Sequence, residues 1–228
     1  MESQFSRTEI LIGKENQNNI KNKTIIIFGI GGVGGYVAES LARAGVQNLI
    51  LIDNDKISIS NINRQIIALH STIGMLKVDV MKSRLLDINP DINITTYNTF
   101  IKDGNSEEII KKHKPDYIVD AIDTVPSKLE IIEFSNKYNI PIISSMGTGN
   151  KLDPSKLEIT DISKTSVCPL AKKIRKEIKN RNIKKLTVVY SKEEPHKEID
   201  SPLIGSSSFV PSSAGLLITS KIIKDFIK

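Results

Sequence analysis

Short apolar runs alternate with helically spaced apolar positions through the first 146 residues, the rhythm of parallel βαβ units. The run TIIIF at 24–28 is continuous and β-branched, as a strand covered on both faces should be. NLILID at 48–53 is a second such run. Between them Val37, Leu41 and Ala44 stand at helical spacing, and Gly45 follows where a helix C-terminus belongs. From 75 to 88 apolar residues recur at Val78, Met81, Leu85 and Ile88, with Asn89-Pro90 as the stop signal. INITTY (92–97), DYIVDAID (116–123) and PIISSMG (141–147) read as further strands, separated by helical patterns around 107–112 and 129–138.

After Gly149 the pattern changes. A strand-like KLEITDIS (156–163), a basic helix over 170–179, a strand LTVVY (186–190) and a polar loop SKEEPHKEID (191–200) precede a helix over 214–227 with Leu217, Ile218, Ile222 and Phe226 on one face. Residues 201–220 carry no charge, yet seven serines, two prolines and two glycines make them a poor bilayer span. They read as a buried loop leading into that helix. There is no internal repeat. The expected fold is α/β: a doubly wound, mostly parallel, Rossmann-like sheet with a C-terminal α+β extension. Its divisions are an N-terminal segment (1–22), a nucleotide-binding domain (23–149) and an extension (150–228) packed on the same domain and completing the substrate face.

A length of 228 residues suffices for roughly one to two domains and a sizeable core. Lys plus Arg outnumber Asp plus Glu by 32 to 26, for a net charge of +6. Residues 164–185 hold nine basic residues against one acid, Glu177, a local +8 that leaves the rest near −2. A polyanionic partner belongs there, although a Lys-rich solvated helix is the plain alternative. The single cysteine, Cys168, excludes an internal disulfide, and three scattered histidines (His70, His113, His196) offer no zinc-ligand spacing, so no zinc is expected. The N-terminus lacks an apolar signal core. A reducing, cytoplasmic location without membrane association is the expectation.

Gly29, Gly31, Gly32 and Gly34 follow a strand directly and open a helix, the context in which a glycine-rich loop lets phosphate approach backbone N–H groups. Asp53 ends the next strand, where a carboxylate can accept from ribose hydroxyls. A turn that merely packs strand on helix is the other reading of the glycines. After Asp53 come Asp55, Asn63, Arg64 and Gln65, then Lys77 in the first turn of a helix. Hydride transfer by an NAD-binding oxidoreductase has little use for such cations, whereas a triphosphate undergoing adenylation does. Asp123 lies at a strand end where ligands bind in such sheets, placed to hold Mg²⁺ against phosphates. Taken singly, Arg64 or Lys77 reads as solvated surface and Asp123 as a turn former.

In order and together, GIGGVG, LIDND, SNINRQ, Lys77 and DAIDT resemble the adenylating superfamily of ubiquitin-activating and molybdopterin- or thiamine-synthesis activating enzymes, over about residues 5–150. The resemblance implies ATP as the nucleotide, Asp53 on its ribose, Asn63, Arg64 and Lys77 on its phosphates, and Asp123 on the metal. Thr124 replaces the usual asparagine. The segment FSRTE (5–9) is similar to one whose arginine reaches the partner subunit's ATP, which implies a homodimer with Arg7 acting across it.

The paired Cys-x-x-Cys motifs of sulfur-carrier activators are absent, and Cys168 has no identifiable base beside it, so a covalent thiol relay is disfavoured. The whole chain, including DISKTSVCPLAKKIRKEI and GSSSFVPSSAGLLI, resembles the tRNA threonylcarbamoyladenosine dehydratase branch. That implies ATP-dependent adenylation and cyclisation of a tRNA-borne threonylcarbamoyl group, with Lys172, Lys173, Arg175, Lys176 and Lys179 on tRNA phosphates and sulfur-trafficking proteins among the candidate partners. Alternatives are adenylation of a ubiquitin-like sulfur carrier's C-terminus, an NAD-binding oxidoreductase, and a nucleotide-gated RNA-binding protein without enzymatic activity.

Overall fold

The computed structural model describes residues 3–196, 198–199 and 202–227. Strand β1 (Thr24–Phe28) sends Ile25 and Ile27 to one face of the sheet and Ile26 and Phe28 to the other, all fully buried. This two-sided burial is why the run is continuously apolar rather than alternating. Each such side chain stabilises the fold by roughly 1.5–3 kcal/mol. β2 (Asn48–Ile52) repeats the arrangement, and β3 (Asn93–Tyr97), β4 (Tyr117–Asp120), β5 (Ile142–Ser145), β6 (Leu157–Asp161) and β7 (Thr187–Ser191) complete one seven-stranded sheet. Its order is β3-β2-β1-β4-β5-β7-β6, parallel except for β6, which runs antiparallel to β7. The expected doubly wound sheet is present, and the segment after residue 150 joins it edgewise.

Helices α3 (Gly34–Ala44), α4 (Lys77–Ile88) and α8 (Val210–Phe226) cover one face through Val37, Leu41, Met81, Leu85, Ile218 and Ile222. On the other face lie α5 (Asn105–His113) and α6 (Val125–Lys137), through Ile109, Ile110 and Ile131. α7 (Pro169–Asn180) packs Ala171, Ile174 and Ile178 against Val188 and Tyr190. The strand order reverses between β1 and β4, which opens a crevice at the carboxyl ends of those strands.

Two sequence expectations are corrected. The segment ahead of α8 is not buried: Leu203 and Ile204 are about three-quarters exposed, at 79% and 75%. Helix α8 begins at Val210 instead of 214, because Pro211 fits the first helical turn. At the other end, the N-terminal segment folds into α1 (Ser6–Ile12) and α2 (Lys14–Lys21). No residue of α1 is buried, so it lacks the apolar periodicity by which a helix is recognised in sequence.

The β1–α3 turn depends on two glycines. Gly29 adopts φ +90° while its N–H donates to Ile52 O at 2.8 Å, and a Cβ there would sit 2.7 Å from Ala121 O. A Cβ on Gly34 would meet Gly29 O at 1.8 Å. Gly34→Ala therefore forces backbone apart and is expected to cost about 3 kcal/mol, or roughly 6–12 °C in Tm. Gly31→Ala, whose new methyl would lie 3.7 Å from the Gln65 side chain, should cost under about 1 kcal/mol. Equal thermal shifts for the two variants would contradict this reading of the turn.

Candidate nucleotide-binding and activation site

A cavity of about 700 Å³ opens over the carboxyl ends of the central strands, the size of a small-ligand site. One half is lined by the glycine loop (Gly29, Gly31, Gly32), Asp53, Arg64 and Lys77; the other by Ser145, residues 146–151, the start of α7 and Ser206. Loop segments from distant parts of the chain close the second half. Asn150 exchanges hydrogen bonds with Gly205, its N–H donating to Gly205 O at 2.8 Å and its side-chain oxygen accepting from Gly205 N at 2.7 Å.

Asp53 stands at the end of β2, where the strand delivers it to the crevice. Its Oδ2 accepts the Ile30 N–H at 2.7 Å and its Oδ1 accepts the Asp55 N–H at 2.8 Å, so it fastens the glycine loop to β2. Lys77, the first residue of α4 and 5% exposed, places Nζ 2.6 Å from Asp55 Oδ2 and 3.8 Å from Asp53 Oδ1. A cation held by two carboxylates at the cavity wall keeps its position without a ligand and faces any anion that enters. Burial pushes the Asp53 carboxyl above its ordinary value, while the Lys77 charge and the two N–H donors pull the other way.

Arg64 lines the same cavity, its guanidinium donating to Ser60 O at 3.0 Å and Asn63 Oδ1 at 2.8 Å. Asn63 is absent from the lining; its amide donates to Ser206 O at 3.0 Å, so it joins the loop to the C-terminal segment and orients Arg64. Gln65 is buried at the wall with Oε1 unpartnered. Gly34 closes the turn beneath the cavity, as described above. Asp55 and Asp123 also line it; Asp123 is exposed there, and the Thr124 hydroxyl donates to it at 3.4 Å. Arg7 lies exposed on α1, away from the cavity of its own chain.

Of the basic residues on α7, Lys172, Lys173, Lys176 and Lys179 are exposed. Arg175 is not available in the same way. Its guanidinium donates to Thr165 O, Thr165 Oγ1 and Ile162 O at 2.9, 2.6 and 3.3 Å, bracing the turn before the helix. Cys168 is buried at the cavity edge as the residue preceding α7.

Sequence reasoning missed two lysines. Lys151 is 4% exposed at the cavity wall, with its amine on Glu193 O. Lys128 is fully buried against Asp120. The signal was available, since Lys128, Ile131, Ile132 and Ser135 form the buried i, i+3, i+4, i+7 stripe of α6, and a lysine in such a stripe requires a carboxylate. Among the described residues no helix is long and apolar enough to cross a membrane, and no three His, Cys, Asp or Glu side chains cluster as a metal cage.

Because its folded-state value is raised, ionised Asp53 works against the fold: its contribution is most favourable at low pH and declines as pH rises through the raised value. Removing the lysine that opposes this shift, as Lys77→Met, is expected to move Asp53 still higher and to make stability fall more steeply with rising pH. Carboxyl carbon NMR titration with urea unfolding at each pH checks both. An unmoved Asp53 titration would contradict the pairing.

The model of the ThiF family matches residues 5–225. The tRNA threonylcarbamoyladenosine dehydratase of Bacillus subtilis (strain 168) is 41% identical over 242 residues, covering 99% of this chain and 95% of that protein. Its namesake from Escherichia coli (strain K12) is 36% identical over 176 residues, covering 77% and 65%. Crystal structures of the Escherichia coli enzyme in complex with AMP and with ATP superpose with TM-scores of 0.92 and 0.91 at 32% and 31% identity, each covering 98% of this chain and 93% of the other. The fold thus matches solved relatives over nearly the full length of the chain, and the chain belongs to the ThiF family.

Proposed function

We propose that this protein uses ATP to adenylate the carboxylate of N6-threonylcarbamoyladenosine in tRNA and closes it to a cyclic product with net loss of water. The observation that carries this is the near full-length similarity to a dehydratase of that name, which includes the segments building the second half of the cavity. A carboxylate is a poor electrophile. Its oxygen attacks the α-phosphorus, pyrophosphate leaves, and a ureido nitrogen or oxygen then attacks the activated carbonyl and expels AMP. Asp53 receives the ribose hydroxyls, and Arg64 and Lys77 face the charge that builds on the phosphates. Asn63 acts here through Arg64, and Gln65 offers its unpartnered oxygen to the nucleotide.

Mg²⁺ fits Asp123. That ion is commonly held by one or two carboxylates plus substrate phosphates rather than by an all-protein cage, and Asp123 offers one exposed carboxylate at the cavity. When bound there, it neutralises phosphate charge. Arg7 serves a second protomer's site in a homodimer, which its distance from its own cavity favours. The exposed lysines of α7 take tRNA phosphates, in a cytoplasmic setting. A sulfur-trafficking protein is a further candidate partner.

The test is incubation of pure protein with ATP, Mg²⁺ and threonylcarbamoylated tRNA, followed by mass spectrometry of the nucleoside. Loss of one water per modified nucleoside is expected, and Arg64→Ala or Lys77→Ala should each lower turnover about 10²-fold or more. Lys172, Lys176 and Lys179 changed together to Glu should weaken tRNA binding and flatten its log–log salt dependence by roughly 2, at about 0.7–0.9 per phosphate contact, with ATP affinity unaltered. An unmodified nucleoside mass with ATP turnover stimulated by a carrier protein's C-terminus would replace this reading with activation of a sulfur carrier.

A further inference from the structure

We propose that Lys128 is a positioning residue that, with Asp120, fixes the path of residues 121–124 and so the place of Asp123 in the cavity. β4 ends at Asp120. Its Oδ1 accepts the Ile122 N–H at 3.3 Å, while Oδ2 accepts the Ser144 hydroxyl at the end of β5 and lies 2.9 Å from Lys128 Nζ. Lys128 Nζ also donates to Ile122 O and to Ser145 O, each at 2.9 Å. Three acceptors use all three N–H bonds of the ammonium. Both backbone polar groups of Ile122 are therefore held from beneath the cavity floor, the N–H by Asp120 and the carbonyl by Lys128. Asp123 is the next residue.

Both side chains of the pair are fully buried. Desolvation offsets most of the attraction in a pair of this kind, so its net contribution to stability is small. What it supplies is geometry: a flexible connection between β4 and α6 is tied at one point to its own strand, its own helix and the neighbouring strand. Ala121 O, in the same loop, is the atom against which Gly29 packs, so the pair also sets the depth of the glycine turn. The inference rests on the reading that Asp123 faces the phosphates, and its test separates the two.

The double variant Asp120→Asn/Lys128→Met removes both charges at nearly constant volume. In it, amides of residues 122–124 are expected to exchange about tenfold faster or more, with the β1 and β2 amides unchanged. The kcat for the tRNA reaction should fall about tenfold or more, because misplacement by a fraction of an ångström suffices. The ATP dissociation constant should move less than about threefold, because Asp53 and Arg64 stand on other elements. A folded double variant with wild-type loop exchange and wild-type kcat overturns the proposal. Should the double variant not fold, the wild-type protein decides: the Ile122 amide is expected to exchange as slowly as that of Val119, and exchange at the rate of exposed loop amides overturns the proposal. Failure of wild-type protein to dehydrate the nucleoside would remove the proposed reaction while leaving the exchange result to stand on its own.

Discussion

Buried charge in this fold is paired or hydrogen-bonded, because an isolated ion in a low-dielectric interior costs more than the fold can supply. Two such pairs sit at the carboxyl edge of the sheet, on either side of β1. Asp53 after β2 is met by Lys77 from α4, and Asp120 at the end of β4 by Lys128 from α6. Between them runs the Gly29 turn, tied to Asp53 through the Ile30 N–H and pressed against Ala121 O. Fixed charges on strand ends thus line the cavity at Asp53 and Lys77 and lie beneath it at Asp120 and Lys128. Charges fixed in advance in this way are the condition under which electrostatic stabilisation of developing charge is most effective.

The central sheet was legible in the sequence because two-sided burial demands uninterrupted β-branched runs, and TIIIF and NLILID are of that kind. The gathering of the glycine loop, Asp53 and Lys77 at one cavity was legible for a related reason: a close-packed turn, a strand-end carboxylate and a helix-borne lysine each restrict residue type at fixed spacing. Other parts follow from contacts that no local pattern encodes. No residue of helix α1 is fully buried within the chain. The exposed segment ahead of α8 is held by partners distant in sequence, such as Asn150 for Gly205 and Asn63 for Ser206. Arg175 looks like one more surface cation until the turn at Ile162 and Thr165 is seen to occupy its guanidinium.

The two lysines that sequence reading passed over show how the site is completed. Lys128 was hidden by its type, since lysine is ordinarily a surface residue, although its place in the buried stripe of α6 marked it. Lys151 is carried to the cavity wall by the chain beyond β5. In the proposed reaction the half lined by the glycine loop, Asp53 and Lys77 would serve activation, and the half that includes residues 145–151, 168–170, 204 and 206 would choose what is activated.

In the proposed reaction a carboxylate oxygen of the substrate becomes bonded to the α-phosphorus of ATP. This step is tested most directly with threonylcarbamoylated tRNA carrying oxygen-18 in that carboxylate. If adenylation precedes ring closure, the oxygen bridging carbon and phosphorus remains with phosphorus when the ring closes, and the AMP released carries one labelled oxygen. Unlabelled AMP, with the missing label recovered in water or in inorganic phosphate, would contradict the account.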